Sequence, residues 1–382
     1  MLGPGGPAKA PDMRPEPFKI ERYFARYEFT TRYLLCASDC EAMTLDELLA
    51  YEPGAAEAFG GHWLGYTESL GDPELRAAIA AHYAGIGPEQ VLVHSGAEEA
   101  IFSFMNCALE AGDQVIVHSP CYQSLQEVAR ALGAEVLPWP ADPVRGWSLD
   151  PERLEPLITP RTKAVVVNCP HNPTGYLMPA EQQAALIETA RRHGLWLFSD
   201  EVYRGLEYHP AERLPAACEA YERAVSLGVL SKTYGLPGLR IGWIATRDAE
   251  IFARMAAFKD YLTICNAAPS EFLARIALRH HEAIAARNRA IVRDNLALLD
   301  GFFERRSERF AWVRPRAGAI AFPEHRPGGI EALSQKLAAE AEVLLLPGGV
   351  YDAGDSHFRL GFGRRNFAKG LAALEAALDR GL

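Results

Sequence analysis

At 382 residues, with 49% hydrophobic and 23% charged side chains, the chain has the composition of an ordinary soluble protein with room for two or three domains. Its formal net charge of −10 argues against nucleic acid as a partner, because phosphates demand a basic face. No apolar run reaches membrane-spanning length, and the seven cysteines lie scattered without the paired spacing that zinc uses. Neither a membrane span nor a metal site is expected, and the unpaired thiols point to a reducing cytoplasm.

Residues 1–17, rich in Pro and Gly, read as a disordered tail. A helix is expected over Phe18–Tyr33, then a short one over Thr44–Leu49 capped by Thr44. Ala55–Gly65 reads as a Gly-rich loop ending in an aromatic cluster around Trp63 and Tyr66. Asp72-Pro73 opens the next helix, with Leu75, Ile79 and Tyr83 on one face.

From Val91 onward, strands and helices alternate. Strands are expected at Val91–His94, Gln114–His118, Glu135–Trp139, Lys163–Asn168, Leu195–Ser199, Ala224–Leu230 and Leu239–Ala245. Helices are expected at Ala97–Leu109, Cys121–Leu132, Pro151–Leu157 and Ala180–His193. Such alternation predicts an α/β fold, a mostly parallel, mixed sheet of seven strands sandwiched by helices. Beyond Arg254 long Ala- and Arg-rich helices and short strands predict a smaller α+β domain. The expected division is a segment 18–50 packing with the small domain, a large domain 51–255 and a small domain 256–382.

In parallel sheets ligands sit beyond the carboxyl ends of the strands. Five strand ends here carry polar groups. Ser95-Gly96-Ala97-Glu98 opens a helix whose bare N–H groups can take a phosphate. Tyr122 offers a face for stacking, Asn172 in Asn-Pro-Thr-Gly an amide, and Asp200 in Asp-Glu-Val-Tyr a carboxylate for a protonated ring nitrogen. Lys232, just past an apolar strand, can be held partly desolvated, which lowers its pKa and frees the amine as a nucleophile. A single ligand satisfies all five: pyridoxal phosphate needs a lysine for its aldehyde, an anion site, a stacking ring, a pyridine partner and donors to its phenolic oxygen.

Asn172-Pro-Thr-Gly175, Asp200-Glu-Val-Tyr203 and Ser231-Lys232 followed by Gly238-Leu-Arg-Ile-Gly242 resemble the class I/II aminotransferases of the fold type I pyridoxal-phosphate superfamily. The resemblance runs from about Tyr33 to the end of the chain. It implies a Lys232 Schiff base with Lys232 as proton shuttle, Asp200 on the pyridinium, and Asn172 and Tyr203 on the phenolic oxygen. It further implies Tyr122 stacked on the ring and Gly96, Ala97, Glu98, Ser231 and Arg240 around the phosphate. Tyr66 resembles the tyrosine that reaches the neighbouring subunit's phosphate, implying a homodimer with shared sites. Arg359 resembles the arginine that clamps a substrate α-carboxylate, with Asn172 beside it, and Trp63 is placed at the substrate pocket. Substrates are then an amino acid and a 2-oxo acid, exchanged by ping-pong transamination.

Two positions depart from that pattern. Val229 stands where a phosphate-binding serine is common, and Cys36-Ala-Ser-Asp-Cys40-Glu41 replaces a Gly-containing loop against the substrate. Both motivate a rival on the same fold: a lyase, racemase or cyclase, the last similar to cyclases of arginine-derived antibiotic building blocks. A ligand-sensing transcription regulator is disfavoured by charge and the shortness of the segment before Phe18, and a nicotinamide dehydrogenase by the lack of G-x-G-x-x-G after a strand.

Overall fold

The structure is a computed structural model and describes residues 13–382. Most of the tail expected over residues 1–17 therefore lies outside the described residues. At its end, Glu16 donates its N–H to Glu127 Oε1 at 3.0 Å, and Pro17 O accepts from Gln123 Nε2 at 3.1 Å.

Seven strands build the main sheet: β1 Val91–His94, β2 Gln114–Ser119, β3 Glu135–Pro140, β4 Thr162–Asn168, β5 Trp196–Asp200, β6 Ala224–Val229 and β7 Gly242–Thr246. Their spatial order is β1-β7-β6-β5-β4-β2-β3. β7 runs against both its neighbours and the other pairs are parallel, so β1 to β6 all point the same way. Every residue of β1, β5, β6 and β7 is buried, as strands covered on both faces require.

The period of two sorts the strand side chains into separate cores. Val115, Val117, Ala164 and Val166 pack with Ile101, Phe104 and Met105 of helix Ala97–Ala108. Their neighbours Ile116, Val165 and Val167 face Leu186, Ile187 and Ala190 of helix Ala180–Arg192. A sheet with two such cores is rigid at its strand ends, and those ends carry the polar groups.

Beyond the sheet come helices Ala268–Arg279 and His281–Arg305, then short strands and helices Ile330–Ala341 and Phe367–Asp379. Strand Phe358–Gly361 lies antiparallel between Ile320–Ala321 and Leu346–Pro347. Tyr33–Leu34 pairs in parallel with Val343–Leu344, which ties the N-terminal segment to the C-terminal region.

Several expected elements differ in extent. The first helix stops at Tyr27 rather than Tyr33. The Ala55–Gly65 loop contains a helix over Ala55–Gly60. Pro151–Leu157 is two 3₁₀ turns, each with a proline in its first positions, rather than one helix. The strand expected from Leu239 begins at Gly242, because Pro237–Leu239 is a 3₁₀ turn and Arg240 takes a left-handed conformation at φ 51°. Helix Ala249–Lys259, capped by Asp248, spans the 255/256 division read from the sequence.

Candidate active site

The carboxyl ends of β1, β2, β4, β5 and β6 open onto one cavity of about 470 Å³. Lys232, Asp200, Tyr203, Asn172 and Tyr122 line it, and so do Ala97, Glu98, Ser231 and Arg240. Residues spread over more than a hundred positions thus converge because parallel strands deliver their loops to one edge.

Lys232 is half-buried, and its Nζ donates to Ser38 Oγ at 2.9 Å. Burial lowers its pKa; Arg359 and Arg240 add to that, while Asp39 and Asp200 oppose it. The direction is the one an amine nucleophile needs.

Asp200 ends β5 in full burial, with Oδ1 accepting from Val202 N at 3.2 Å. Burial pushes its carboxyl up to about 7, with Lys232 pulling the other way. A cation placed beside it restores the carboxylate. Asn168, at the end of β4, bridges this strand to its neighbour: Nδ2 donates to Asp200 O at 2.9 Å and Oδ1 accepts from Asn172 N at 2.7 Å. The sequence reading passed over Asn168, because its partners lie on another strand and loop.

Asn172 Oδ1 accepts from Tyr351 Oη at 3.0 Å and Arg359 Nη1 at 3.3 Å, while Arg359 Nη1 also donates to Tyr351 Oη at 2.6 Å. With Oδ1 so engaged, Asn172 Nδ2 is the atom left for a ligand. Arg359 Nε donates to Cys36 O at 3.0 Å, yet its buried Nη2 has no partner. Tyr203 is 1% exposed, and Ser38 is the hydroxyl near its phenol. Orphaned buried donors are rare in folded proteins, and the one on Arg359, whose other nitrogen bonds the cavity-lining Asn172, fits a site shaped for a ligand. Tyr351 carried no signal in the sequence.

His171 joins two of the loops. Its ring bonds Thr174 Oγ1 at 2.7 Å and Pro120 O at 2.8 Å and stacks on His118 at 3.8 Å. Burial lowers its pKa to about 3, so it stays neutral while fixing the Tyr122 loop to the Asn172 loop.

At the opening of helix Ala97–Ala108, Gly96 has φ 87°, and a Cβ there would lie 2.4 Å from Arg240 Nη2. Glycine thus lets a guanidinium lie against bare helix N–H groups, an arrangement suited to a phosphate. Glu98 lines the cavity, and its Oε2 accepts from Ser124 Oγ at 3.1 Å. Of the remaining expected residues, Trp63 (77% exposed) and Tyr66 (84% exposed) lie outside the cavity of their own chain. Tyr66 borders an outer groove with Leu64 and Asn266.

The Cys36–Glu41 loop covers Lys232 and is firmly held. A Cβ on Gly361 would lie 1.8 Å from Ala37 O, so only glycine permits this approach. Arg364 Nη2 reaches both Asp39 oxygens at 2.8 Å, and Arg287 Nη1 donates to Glu41 O at 2.8 Å. Burial pushes the Cys36 and Cys40 thiols up to about 12, so neither is a nucleophile.

The pattern of the family described as aminotransferase class I and II matches residues 33–372. Capreomycidine synthase of Streptomyces vinaceus is 31% identical over 393 residues, covering 99% of this chain and 97% of that protein. The crystal structure of a PLP-dependent aminotransferase from Streptococcus suis superposes with a TM-score of 0.90 at 33% identity, covering 96% of this chain and 98% of that one. That of the PLP-dependent cyclase OrfR gives 0.88 at 31% identity, covering 97% and 98%. By sequence, by fold and by the groups its strand ends assemble, the chain belongs to the class I and II aminotransferase family of pyridoxal-phosphate-dependent transferases.

Proposed function

We propose that the chain moves an amino group between an amino acid and a 2-oxo acid, with pyridoxal phosphate held in the cavity at Lys232. The observation that carries this reading is the convergence of Lys232, Asp200, Tyr203 and Asn172 on one cavity, with the buried, unpartnered Nη2 of Arg359 behind Asn172. Lys232 would hold the cofactor through its aldehyde carbon, Asp200 would face the ring nitrogen, and Tyr122 would stack. Asn172 Nδ2 and Tyr203 Oη would donate to the phenolic oxygen. Gly96, Ala97, Ser231 and Arg240 would hold the phosphate, with the backbone N–H of Glu98 beside them. Bound there, pyridoxal phosphate supplies an electron sink for charge developing at the substrate α-carbon.

The residues of the chain do the rest. Arg359 binds and orients the α-carboxylate. Lys232 Nζ, its pKa lowered by burial, takes the α-proton and returns one. Asp200, ionised opposite a cationic ring, keeps that ring protonated. The Cys36–Glu41 loop excludes water from above Lys232.

The site is proposed to be completed in a homodimer. Trp63, Leu64, Tyr66, Tyr261 and Ile264 are exposed, and Leu64 and Tyr66 lie beside Cys265 and Asn266. An apolar patch of this kind suits a partner surface, and Tyr66 would then reach the partner's phosphate. A cytoplasmic location is proposed on the seven free cysteines.

A second reading is favoured by capreomycidine synthase matching 99% of the chain and by Ser38 standing against Lys232. On that reading the same proton abstraction serves elimination and ring closure. Incubating the pyridoxal-phosphate-loaded enzyme with amino acids, with and without pyruvate or 2-oxoglutarate, separates the two. Transamination requires the acceptor and gives parallel-line kinetics; product formed without an acceptor establishes the cyclase or lyase. Failure to fix a pyridoxyl group at Lys232 with borohydride sinks both.

A further inference from the structure

Five charged side chains line the cavity: Lys232, Arg240, Asp200, Glu98 and Glu21. On the proposed function three of the five meet the cofactor, Lys232 at the aldehyde, Arg240 at the phosphate and Asp200 at the ring nitrogen. Glu98 and Glu21 are left over. Neither forms an ion pair among the described residues, and the one hydrogen bond made by the Glu98 carboxylate is from Ser124 Oγ.

The two carboxylates come from separate helices. Glu98 lies in the first turn of helix Ala97–Ala108, and Glu21 in the first turn of helix Lys19–Tyr27. The start of that second helix is pinned in place, with Lys19 N donating to Gln123 Oε1 at 2.8 Å and Phe18 packed on Tyr122 at 5.1 Å. Burial raises the Tyr122 phenol's pKa, and Glu98 and Glu21 add to that while Arg359 opposes it. Burial, with the nearby Glu21, pushes the Glu98 carboxyl up to about 7 against its bond from Ser124 Oγ and the charge of Arg240. Both carboxyl groups line the same cavity as Lys232, the group proposed to meet the substrate α-carbon.

Resting on the aminotransferase reading, we infer that the substrate is an amino acid with a cationic side chain, its α-carboxylate on Arg359 and its terminal guanidinium or ammonium between Glu98 and Glu21. Tyr122 and Phe18 line the way between, and their faces suit the apolar stem and the delocalised cation. A neutral side chain of the same length would leave two carboxylates facing each other.

The test uses unreactive probes on the holoenzyme. 5-Guanidinopentanoate and 5-ureidopentanoate have the same shape and differ in charge, and neither carries the α-amino group. By calorimetry at low ionic strength the guanidino acid is expected to bind about tenfold more tightly or better. Glu98→Gln and Glu21→Gln should each shrink that ratio, and the double variant should bring it near one. Glu21 sits at the exposed mouth, so its variant stands even if Glu98→Gln fails to fold. Arginine and citrulline compared as amino donors should show the same ordering. Equal binding of the two probes, or a ratio untouched by Glu21→Gln, overturns the inference. Borohydride fixation at Lys232 is scored in parallel. If the cofactor is fixed but the ratio is near one, the charge assignment falls and the aminotransferase reading stands; without fixation both fall.

Discussion

Lys232 Nζ donates to Ser38 Oγ at 2.9 Å, joining the loop after β6 to a loop that arrives from the N-terminal segment. The contact places a hydroxyl beside the amine proposed to do the chemistry. Ser38→Ala should leave the fold and cofactor uptake intact while slowing the half-reaction about tenfold, as expected for lost positioning of a proton-transferring group. Stopped-flow absorbance of the donor half-reaction reads this directly; an unchanged rate would assign Ser38 to loop packing alone.

Removing the amine is more severe. Lys232→Ala should lower transamination by roughly 10⁴-fold or more, because both the covalent anchor and the general base disappear. The expected companion result is a tryptic map without pyridoxyl-lysine after borohydride. A variant that kept activity would require another residue to be the base.

Arg359 is fully buried and held through Cys36 O, Tyr351 Oη and Asn172 Oδ1, which leaves its orientation little freedom. Arg359→Lys keeps the charge and loses the planar fork. We expect kcat/KM for amino acids to fall about 10²-fold, and activity on amines lacking an α-carboxylate to change little. Equal losses on both substrate types would place its role in packing.

The cofactor-free protein should lose stability as pH rises from about 4 to 7. The Asp200 carboxyl rises from 3.8 to about 7 on folding and the Glu98 carboxyl from 4.5 to about 7, burial being the main cause in each. Between those values the folded state holds protons that the unfolded state has released, so folding is favoured at low pH and weakened as pH passes the folded pKa. Each group contributes at most about 1.4 kcal/mol per pH unit within its window. Thermal unfolding of the apoprotein across this range should flatten in Asp200→Asn. A melting temperature that climbs over the same interval in the native protein and the variant alike would contradict this account.

Dimerisation predicts a further pair of effects. Tyr66→Ala should weaken cofactor affinity although Tyr66 is remote from the cavity of its own chain, and Leu64→Asp should shift sedimentation toward monomer. Normal cofactor affinity in a purely monomeric Leu64→Asp protein would show that each chain is self-sufficient.

The chain by itself determined the order and nature of its main elements. Alternating apolar strands and amphipathic helices carry their own period, and Asp72, Thr44 and Gly96 mark helix starts through local chemistry. Lys232, Asp200, Asn172 and Arg359 were legible as well, since each sits in a motif just past or within an apolar strand. What only the tertiary structure decided is which distant groups meet them. Ser38 against Lys232, Tyr351 against Arg359, Asn168 bridging to Asp200, and Glu21 lining one cavity with Glu98 are meetings of segments far apart along the chain or on separate strands. No periodicity encodes such meetings, because they follow from where a parallel sheet aims its loops and where the N-terminal segment is pinned.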